Sequence, residues 1–488
     1  MNFSILFRLV GIFLGLFTLS LSVGIPVAIL FGEWAVLLIF LESILVGGVI
    51  SGGLYFLGRT SKGDVYRREA LATVGISWLL AAAVGAMPFY LSGSVPDYAS
   101  AFFESASGLT TTGASVFEVI EGKSYAILFW RSFLHFLGGL GIVVLFVAFL
   151  PTMGVGGRAL FKQESTGPVT EGMTPRIKDT AMKLVKVYVG LNVIQAILLM
   201  LCGMNLYDAL LHAMGTIATG GFSSRNASIA AFTSPVIEWI IIAFMFIAGT
   251  NFGLHVEFLR GRFAYFKSTE FKAYVAIILC SATFIAVALW VSDNQAVSNP
   301  GKINIRDSLF MVLTIQTSTG YGTVDFNQWP EAVRMLLLVL MFVGGCAGST
   351  GGGIKVIRFV LLFKLLKAEV ASAVSPRSVR LLKLDGNVIQ RDTAYQVLIF
   401  FFTYIAITVL GFLLVATLMP EQDLVSSITA VIASINNIGP GLGAVGPTMN
   451  FASQVPLAKW VLALLMILGR LEMFSLLILL SPNFWTNR

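Results

Sequence analysis

The sequence predicts an all-α polytopic membrane protein built from four parallel repeats, each a span, a short helix, a glycine-containing loop and a second span, with two further spans ahead of them. Three observations predict it: a composition too apolar for water, apolar runs of span length from end to end, and four copies of one segment that begins with aspartate and breaks at glycine. Of 488 residues, 57% are hydrophobic and 12% charged, where an ordinary soluble domain carries roughly 25% charge. The mean hydropathy is +0.86, and no stretch resembles a large soluble domain.

The first apolar segment follows Arg8 and runs past Ile29 with no small-residue cleavage site, so it reads as a retained span and not a signal peptide. Apolar runs near or above the ~18 to 20 residues that a helical crossing needs place spans at 5–30, 35–57, 70–92, 125–150, 183–204, 235–257, 272–291, 332–365, 394–418 and 457–481. Basic residues orient them. Arg59, Lys62, Arg67 and Arg68 share one loop; Arg158, Lys162, Arg176, Lys178, Lys183 and Lys186 cluster at a second; Arg260, Arg262, Lys267 and Lys272 mark a third. Eight more fall between Lys355 and Arg391. By the positive-inside rule these loops and both termini are cytoplasmic. The formal charge of +7 is then topogenic and does not imply a nucleic-acid partner. Cys202, Cys280 and Cys346 show no metal-ligand spacing.

On the opposite face lie DYASAFFESASGLTTTGAS (97–115), DALLHAMGTIATGGFSS (208–224), DSLFMVLTIQTSTGYGT (307–323) and DLVSSITAVIASINNIGPG (423–441). Each opens with an aspartate, Asp97, Asp208, Asp307 or Asp423, which suits a helix N-terminus where a carboxylate meets free amides. Each then runs through a short helix into small polar residues and glycine. Gly113, Gly220, Gly320 and Gly439 are 107, 100 and 119 residues apart. Two spans per unit give every copy the same polarity, so the repeats are parallel and relate about an axis along the membrane normal. The units are 61–150, 175–260, 268–370 and 390–488, with 1–60 outside the repeat.

The helices before the glycines are too short to span, and irregular backbone at membrane depth survives only where protein buries it or water lines it. Their C-terminal ends carry negative dipole charge, and glycine lets successive carbonyls turn toward one axis. Rings of uncharged oxygen suit a large monovalent cation, whereas divalent ions demand carboxylates that TTTG, ATGG, STGYG and NNIGPG lack. Close helix packing by small residues is the plainer reading of any one loop; four copies on one face favour the cation site.

These residues are familiar. TTTGAS, ATGGFSS, TSTGYGT and NNIGPGLGAVGP, each between paired spans, resemble the four pore loops of the Trk/Ktr/HKT superfamily of potassium transporters, and the third also resembles the TVGYG filter of potassium channels. The extra N-terminal spans and the terminal GRLEMFSLLILLSPNFW make the chain most similar to the bacterial TrkH branch. The resemblance implies four repeats around a pseudo-fourfold pore axis in the bacterial cytoplasmic membrane. It implies uptake of K⁺, with Rb⁺ passing and Na⁺ passing less, as a homodimer regulated by a cytosolic TrkA-type nucleotide-binding subunit. No cofactor is implied on this chain, and K⁺ is the bound and transported ion. Carried over residue by residue, the filter comprises Thr111, Thr112 and Gly113; Ala218, Thr219 and Gly220; Ser318, Thr319 and Gly320; and Asn437, Ile438 and Gly439. Glycine in all four loops goes with K⁺ preference in that family, and serine in the first goes with sodium transport in some plant members. A GYG stands in the third loop alone, which implies weaker discrimination than a channel has. Symport of K⁺ with H⁺ or Na⁺ stays open.

The span 332–365 is interrupted by GGCAGSTGGG, six glycines in residues 344–353. Starting near Ala332, the break comes after roughly 18 Å of helix, in the inner half of the membrane. The next residues are Ile354 and Lys355, so this is not a phosphate-binding P-loop. A simple glycine kink is one reading. The resemblance implies another, an intramembrane loop that obstructs the pore, with Gly344, Gly345, Gly348, Gly351, Gly352 and Gly353 keeping it soft. Arg470 lies deep in the last apolar run, where a charge is a functional candidate. It cannot meet Glu472 on the same helix face, so it either pairs with a distant acid or, as the resemblance implies, stands beside the loop as a barrier to cations.

Other polar residues carry less. His135, His212 and His255 read as hydrogen-bonded structure ahead of a proton relay, and Glu104 and Glu118 as a solvated rim ahead of a cation-enriching mouth. The basic stretches from Lys162 to Lys186 and from Arg377 to Arg391 read equally as a partner's docking site or as topogenic charge. Alternating-access transport of a solute prefers inverted repeats, and no nucleophile, base or metal constellation marks an enzyme.

Overall fold

The computed structural model describes residues 1–60, 66–149, 173–292, 304–375, 382–389 and 391–485. Lys62, Arg158, Lys162 and Arg377 lie outside the described residues, so both basic stretches considered for docking do so in part.

The fold is helical. A first pair, α1 (Phe3–Leu30) and α2 (Trp34–Gly58), packs closely because small residues face backbone: a Cβ on Gly11 would lie 2.6 Å from the Tyr55 amide nitrogen. Then come α3 (Arg67–Gly85), α4 (Tyr98–Leu109), α5 (Tyr125–Phe149), α6 (Met173–Leu201), α7 (Leu206–Ile217), α8 (Pro235–Ala248), α9 (Phe252–Leu259), α10 (Thr269–Val291), α11 (Ile305–Gln316), α12 (Glu331–Phe342) and α13 (Val356–Val374). A small antiparallel hairpin, β1 (Lys383–Leu384) and β2 (Asn387–Val388), leads to α14 (Arg391–Leu418), α15 (Leu424–Ile435), α16 (Pro456–Arg470) and α17 (Phe474–Leu477).

Among the described residues, seven helices are long and apolar enough to cross a membrane, and up to nine if each bent pair is one span. The sequence reading of ten spans, one of them interrupted at 344–353, is corrected at two places and met at the third. The span 235–257 is α8 and α9 meeting at 98°, where the Asn251 side chain accepts from the Gly253 amide and starts a new helix. The span 457–481 is α16 and α17 meeting at 113°, turned by Glu472 and Met473, both at positive φ. The span 332–365 is α12 and α13 joined by residues 343–355. All three breaks leave backbone groups free at depth, and side chains or other backbone fill them.

Two buried apolar clusters hold the bundle. One joins the N-terminal pair to α4, α5, α15 and α16 through Leu14, Phe40, Phe103, Trp130, Val431 and Leu462. The other joins α8, α10, α11 and α12 through Ile241, Tyr274, Phe310 and Leu337. Large side chains such as Leu16, Leu45, Val49 and Phe402 stay exposed on the outside, where hydrocarbon is their solvent.

Candidate cation site

The four short helices α4, α7, α11 and α15 each have 12 residues, about 18 Å at 1.5 Å per residue. Their starts fall into two pairs. Asp97 and Asp423 are N-caps, accepting from the amides of Ser100 and Ser426. In the other two the cap position is Asn205 or Asn304, so Asp208 and Asp307 sit inside the first turn and do not cap as expected. Asn205 takes that role with the Asp208 amide.

Their ends are alike to the atom. Each helix closes with the paired bonds of a Schellman turn: Thr111 and Thr112 donate to the Gly108 and Ser107 carbonyls, Thr219 and Gly220 to Thr216 and Gly215, Ser318 and Thr319 to Ile315 and Thr314, Asn437 and Ile438 to Ser434 and Ala433. The left-handed residue of such a turn is usually glycine, yet here it is Thr111, Thr219, Ser318 or Asn437, at φ 53, 57, 56 and 55. A side chain in that conformation costs about 1–2 kcal/mol, and the cost is met four times at one place. Such clustered strain marks a functional site.

Two residues further on, the chain returns to positive φ at Gly113, Gly221, Gly320 and Gly439. The turns are therefore Thr110 to Gly113, Ala218 to Gly221, Thr317 to Gly320 and Asn436 to Gly439. This corrects the sequence register in the second turn by one residue. Gly220 matches Thr112, and Gly221 holds the place of Gly113.

The turns touch in a closed cycle. A Cβ on Gly113 would strike the Gly220 carbonyl oxygen, one on Gly221 that of Thr319, one on Gly320 that of Ile438, and one on Gly439 would lie 2.8 Å from that of Thr112. Each turn leans on the next, and the fourth leans on the first. The third-position carbonyls, from Thr112, Gly220, Thr319 and Ile438, are thus brought together, and among the other Ser, Thr and Asn atoms here Thr111 Oγ1 and Asn437 Oδ1 are buried with no hydrogen-bond partner. A cavity on one side is lined by Gly113, Gly221, Gly320 and Gly439, with Arg131 at its wall.

Residues 344–353 close the other side. The neck of this loop is a parallel bridge between Val343 and Ile354, with Gly344 donating to the Ile354 carbonyl at 3.0 Å. Gly353 turns the chain at φ 67. The tip meets the short-helix ends: Thr350 Oγ1 donates to the carbonyls of Ile217 (2.9 Å) and Ala248 (3.2 Å), and the Gly352 amide donates to Ser318 Oγ at 2.5 Å. A Cβ on Gly351 would lie 3.0 Å from the Thr317 carbonyl oxygen, and one on Gly352 would strike that of Asn436. The flanks are tied by the Gly348 carbonyl accepting from Phe252 and by the Cys346 amide donating to Gly249; a Cβ on Gly345 would crowd the same Gly249 carbonyl.

Two cations grip the tip. Arg470 is 3% exposed and donates through Nη1 to the Thr350 carbonyl at 2.6 Å and through Nη2 to that of Gly138 at 3.4 Å. Among the described residues no carboxylate pairs with it; Glu472 pairs instead with Arg358 at 2.5 Å. Lys355 Nζ donates to the Gly351 carbonyl. Glu270, at the start of α10, accepts from the amides of Ala347 (2.7 Å) and Ile357 (3.2 Å), so one carboxylate pins the loop and the start of α13 together. Next to it, the Thr269 amide and hydroxyl donate to Asp385 in the turn of the hairpin. Sequence reasoning missed Lys355, Glu270 and Arg131. A carboxylate at the end of an apolar run was the available signal for Glu270.

Glu104 is not a solvated rim: it is fully buried and ion-paired to Arg131 at 2.5 Å. Glu118 is exposed. His135 bridges the Gly108 carbonyl and the Phe222 amide, His212 bridges the Asp208 carbonyl and Ser223 Oγ, and His255 bridges Tyr265 and the Ile247 carbonyl.

Uncharged oxygens gathered at the buried ends of four helices suit a cation stripped of water, and the helices around them are of membrane length; a chain so built is a multi-pass cation transport protein. It belongs to the TrkH family, whose sequence profile, described as a cation transport protein, matches residues 39–486. The Trk system potassium uptake protein TrkH of Escherichia coli K12 is 39% identical over 490 aligned residues, covering 99% of this chain and 100% of that protein. The Trk system potassium uptake protein TrkG of the same strain is 32% identical, covering 98% and 97%. The crystal structure of the potassium transporter TrkH from Vibrio parahaemolyticus aligns with a TM-score of 0.90 and 36% identity over 100% of both chains. These are transporters, not enzymes.

Proposed function

We propose that the chain takes up K⁺ across the bacterial cytoplasmic membrane through a gated pore formed by four non-identical parallel repeats about a pseudo-fourfold axis. The closed cycle of turns carries this reading. Four turns of one conformation, each in contact with the next, support an arrangement with one carbonyl per repeat around a common centre, and the names of the relatives support K⁺ as the ion. The filter comprises Thr111, Thr112 and Gly113; Thr219, Gly220 and Gly221, with Ala218 at the helix end; Ser318, Thr319 and Gly320; and Asn437, Ile438 and Gly439. Its third-position residues differ in all but Thr112 and Thr319, so discrimination of K⁺ from Na⁺ is modest.

The gate is the loop 344–353 held by Arg470 and Lys355. Its support is position: the tip lies against the ends of three short helices, and two positive charges hold it there. Control comes from a cytosolic TrkA-type nucleotide-binding subunit, the functional unit is a homodimer, and both termini are cytoplasmic. Rb⁺ uptake by liposomes holding the purified protein tests the whole reading. Uptake of Rb⁺ and K⁺ above Na⁺ is expected, and no Rb⁺ uptake with or without nucleotide and a TrkA-type partner would refute it.

A further inference from the structure

Arg131 raises a difficulty. It is 2% exposed, it lies on α5 facing the cavity that the four fourth-position glycines line, and a positive charge beside a cation's path repels the cation. Glu104, fully buried, answers it. Its Oε1 meets Arg131 Nε at 2.5 Å and accepts from Ser115 Oγ at 3.1 Å, while its Oε2 accepts from the Val116 amide at 2.8 Å. Arg131 Nη1 donates to the Ser223 carbonyl at 3.2 Å, and its guanidinium carbon lies 3.6 Å over the centre of the Phe222 ring.

The two side chains thus bind the strands leaving turns 1 and 2. Ser115 and Val116 follow Gly113, and Phe222 and Ser223 follow Gly221. Between them is the contact where Gly113 leans on the Gly220 carbonyl. The neighbouring junction, between turns 2 and 3, uses a neutral bond, from Tyr321 Oη to the His212 carbonyl at 3.2 Å. An arginine reaches a carbonyl and an aromatic face at once, which a neutral side chain does not, but it brings a charge that must be cancelled.

We propose that Glu104 and Arg131 form a charge-neutral clamp at the mouth of the pore: Arg131 holds turn 1 against turn 2, and Glu104 positions it and cancels its charge toward the passing cation. Both are positioning residues, and the inference rests on the pore reading above. A buried pair of this kind is costly to break on one side and cheap to replace on both. The clamp therefore separates two effects, with net charge governing how much cation passes and the tie governing which cation passes.

The test is Rb⁺ and Na⁺ uptake by liposomes holding wild-type protein, Glu104→Gln, or Glu104→Gln with Arg131→Gln, at low and high choline chloride. Glu104→Gln leaves the arginine bare and is expected to lower Rb⁺ uptake about tenfold or more at low salt, with partial recovery at high salt as the charge is screened. The double variant is expected to restore uptake to within about threefold at either salt while its Rb⁺/Na⁺ ratio falls, because the tie is gone. Wild-type uptake in Glu104→Gln, or a double variant as slow as the single, overturns the clamp. If Glu104→Gln does not fold, the double variant decides: near-normal uptake with a lowered ratio upholds the proposal, and a tenfold loss at normal protein level overturns it. Failure of the pore reading is separate, since it silences the wild type.

Discussion

Replacing Arg470 by alanine removes one of the two charged holds on the tip of the glycine loop. The bond from Nη1 to the Thr350 carbonyl is short, at 2.6 Å, and buried; the contact to Gly138 at 3.4 Å adds little. A hydrogen bond to a charged group contributes about 1.5–3 kcal/mol. At about 1.4 kcal/mol per factor of ten, its loss shifts the balance between seated and released loop by about 10- to 150-fold. Thr350 keeps its own bonds to Ile217 and Ala248, so the loop loosens without being lost. The assay is Rb⁺ uptake by proteoliposomes without partner or nucleotide, normalised to reconstituted protein. Basal uptake should rise by about ten-fold or more until the gate no longer limits it. Arg470→Lys, which keeps the charge but not the fork of donors, should fall between. Unchanged or reduced basal uptake in Arg470→Ala, at a normal protein level, would refute the argument that this bond holds the gate shut.

Three further outcomes follow from the same geometry. Gly113→Ser places a Cβ against the Gly220 carbonyl at φ 81, so relative Na⁺ uptake should rise; an unchanged Rb⁺/Na⁺ ratio would count against carbonyl rings at this turn. Gly221→Ala, at φ 75 and against the Thr319 carbonyl, should impair the Rb⁺/Na⁺ ratio more than Gly220→Ala, whose Cβ meets the His135 ring; the reverse order would restore the register first read from the sequence. Glu270→Ala strands the amides of Ala347 and Ile357, a cost of about 1–3 kcal/mol for each buried group, and should raise basal Rb⁺ uptake while lowering the thermal unfolding temperature of the detergent-solubilised protein.

What the sequence made legible was what polarity makes conspicuous. Four breaks of hydroxyls and glycine in an apolar chain cannot be hidden in lipid, so TTTG, ATGG, TSTG and NNIG stood out, as did the six glycines of 344–353 and the charge of Arg470. What it hid was decided by exact helix ends and by partners far along the chain. In ATGG, two adjacent glycines fit the same turn, and the helix end at Ile217 chooses between them. Asn205 caps as well as aspartate does, and Asn304 takes the cap position of α11 without a side-chain bond, so the recurring Asp pointed one role too far in two repeats. Glu104 beside a mouth reads as a rim until Arg131, 27 positions later, is found against it. The bend after Arg470 uses Glu472 and Met473 at positive φ, residues that give no warning of a turn. Asn251 did give warning: an asparagine after Gly249 and Thr250 is a helix start, and it went unread in the middle of an apolar run.

The bridge between Val343 and Ile354 has a thermal consequence. Because it stitches the neck of the loop, residues 344–353 can leave their seat while the ends of α12 and α13 stay where they are. The part that moves is glycine, serine, threonine, alanine and one cysteine, with almost no hydrocarbon to expose. Heat-capacity change follows exposed apolar area, so opening of the proposed gate should bring almost none from the loop itself. The logarithm of its opening constant should therefore run nearly straight against reciprocal temperature, where a gate that swung leucine-rich helices apart would curve.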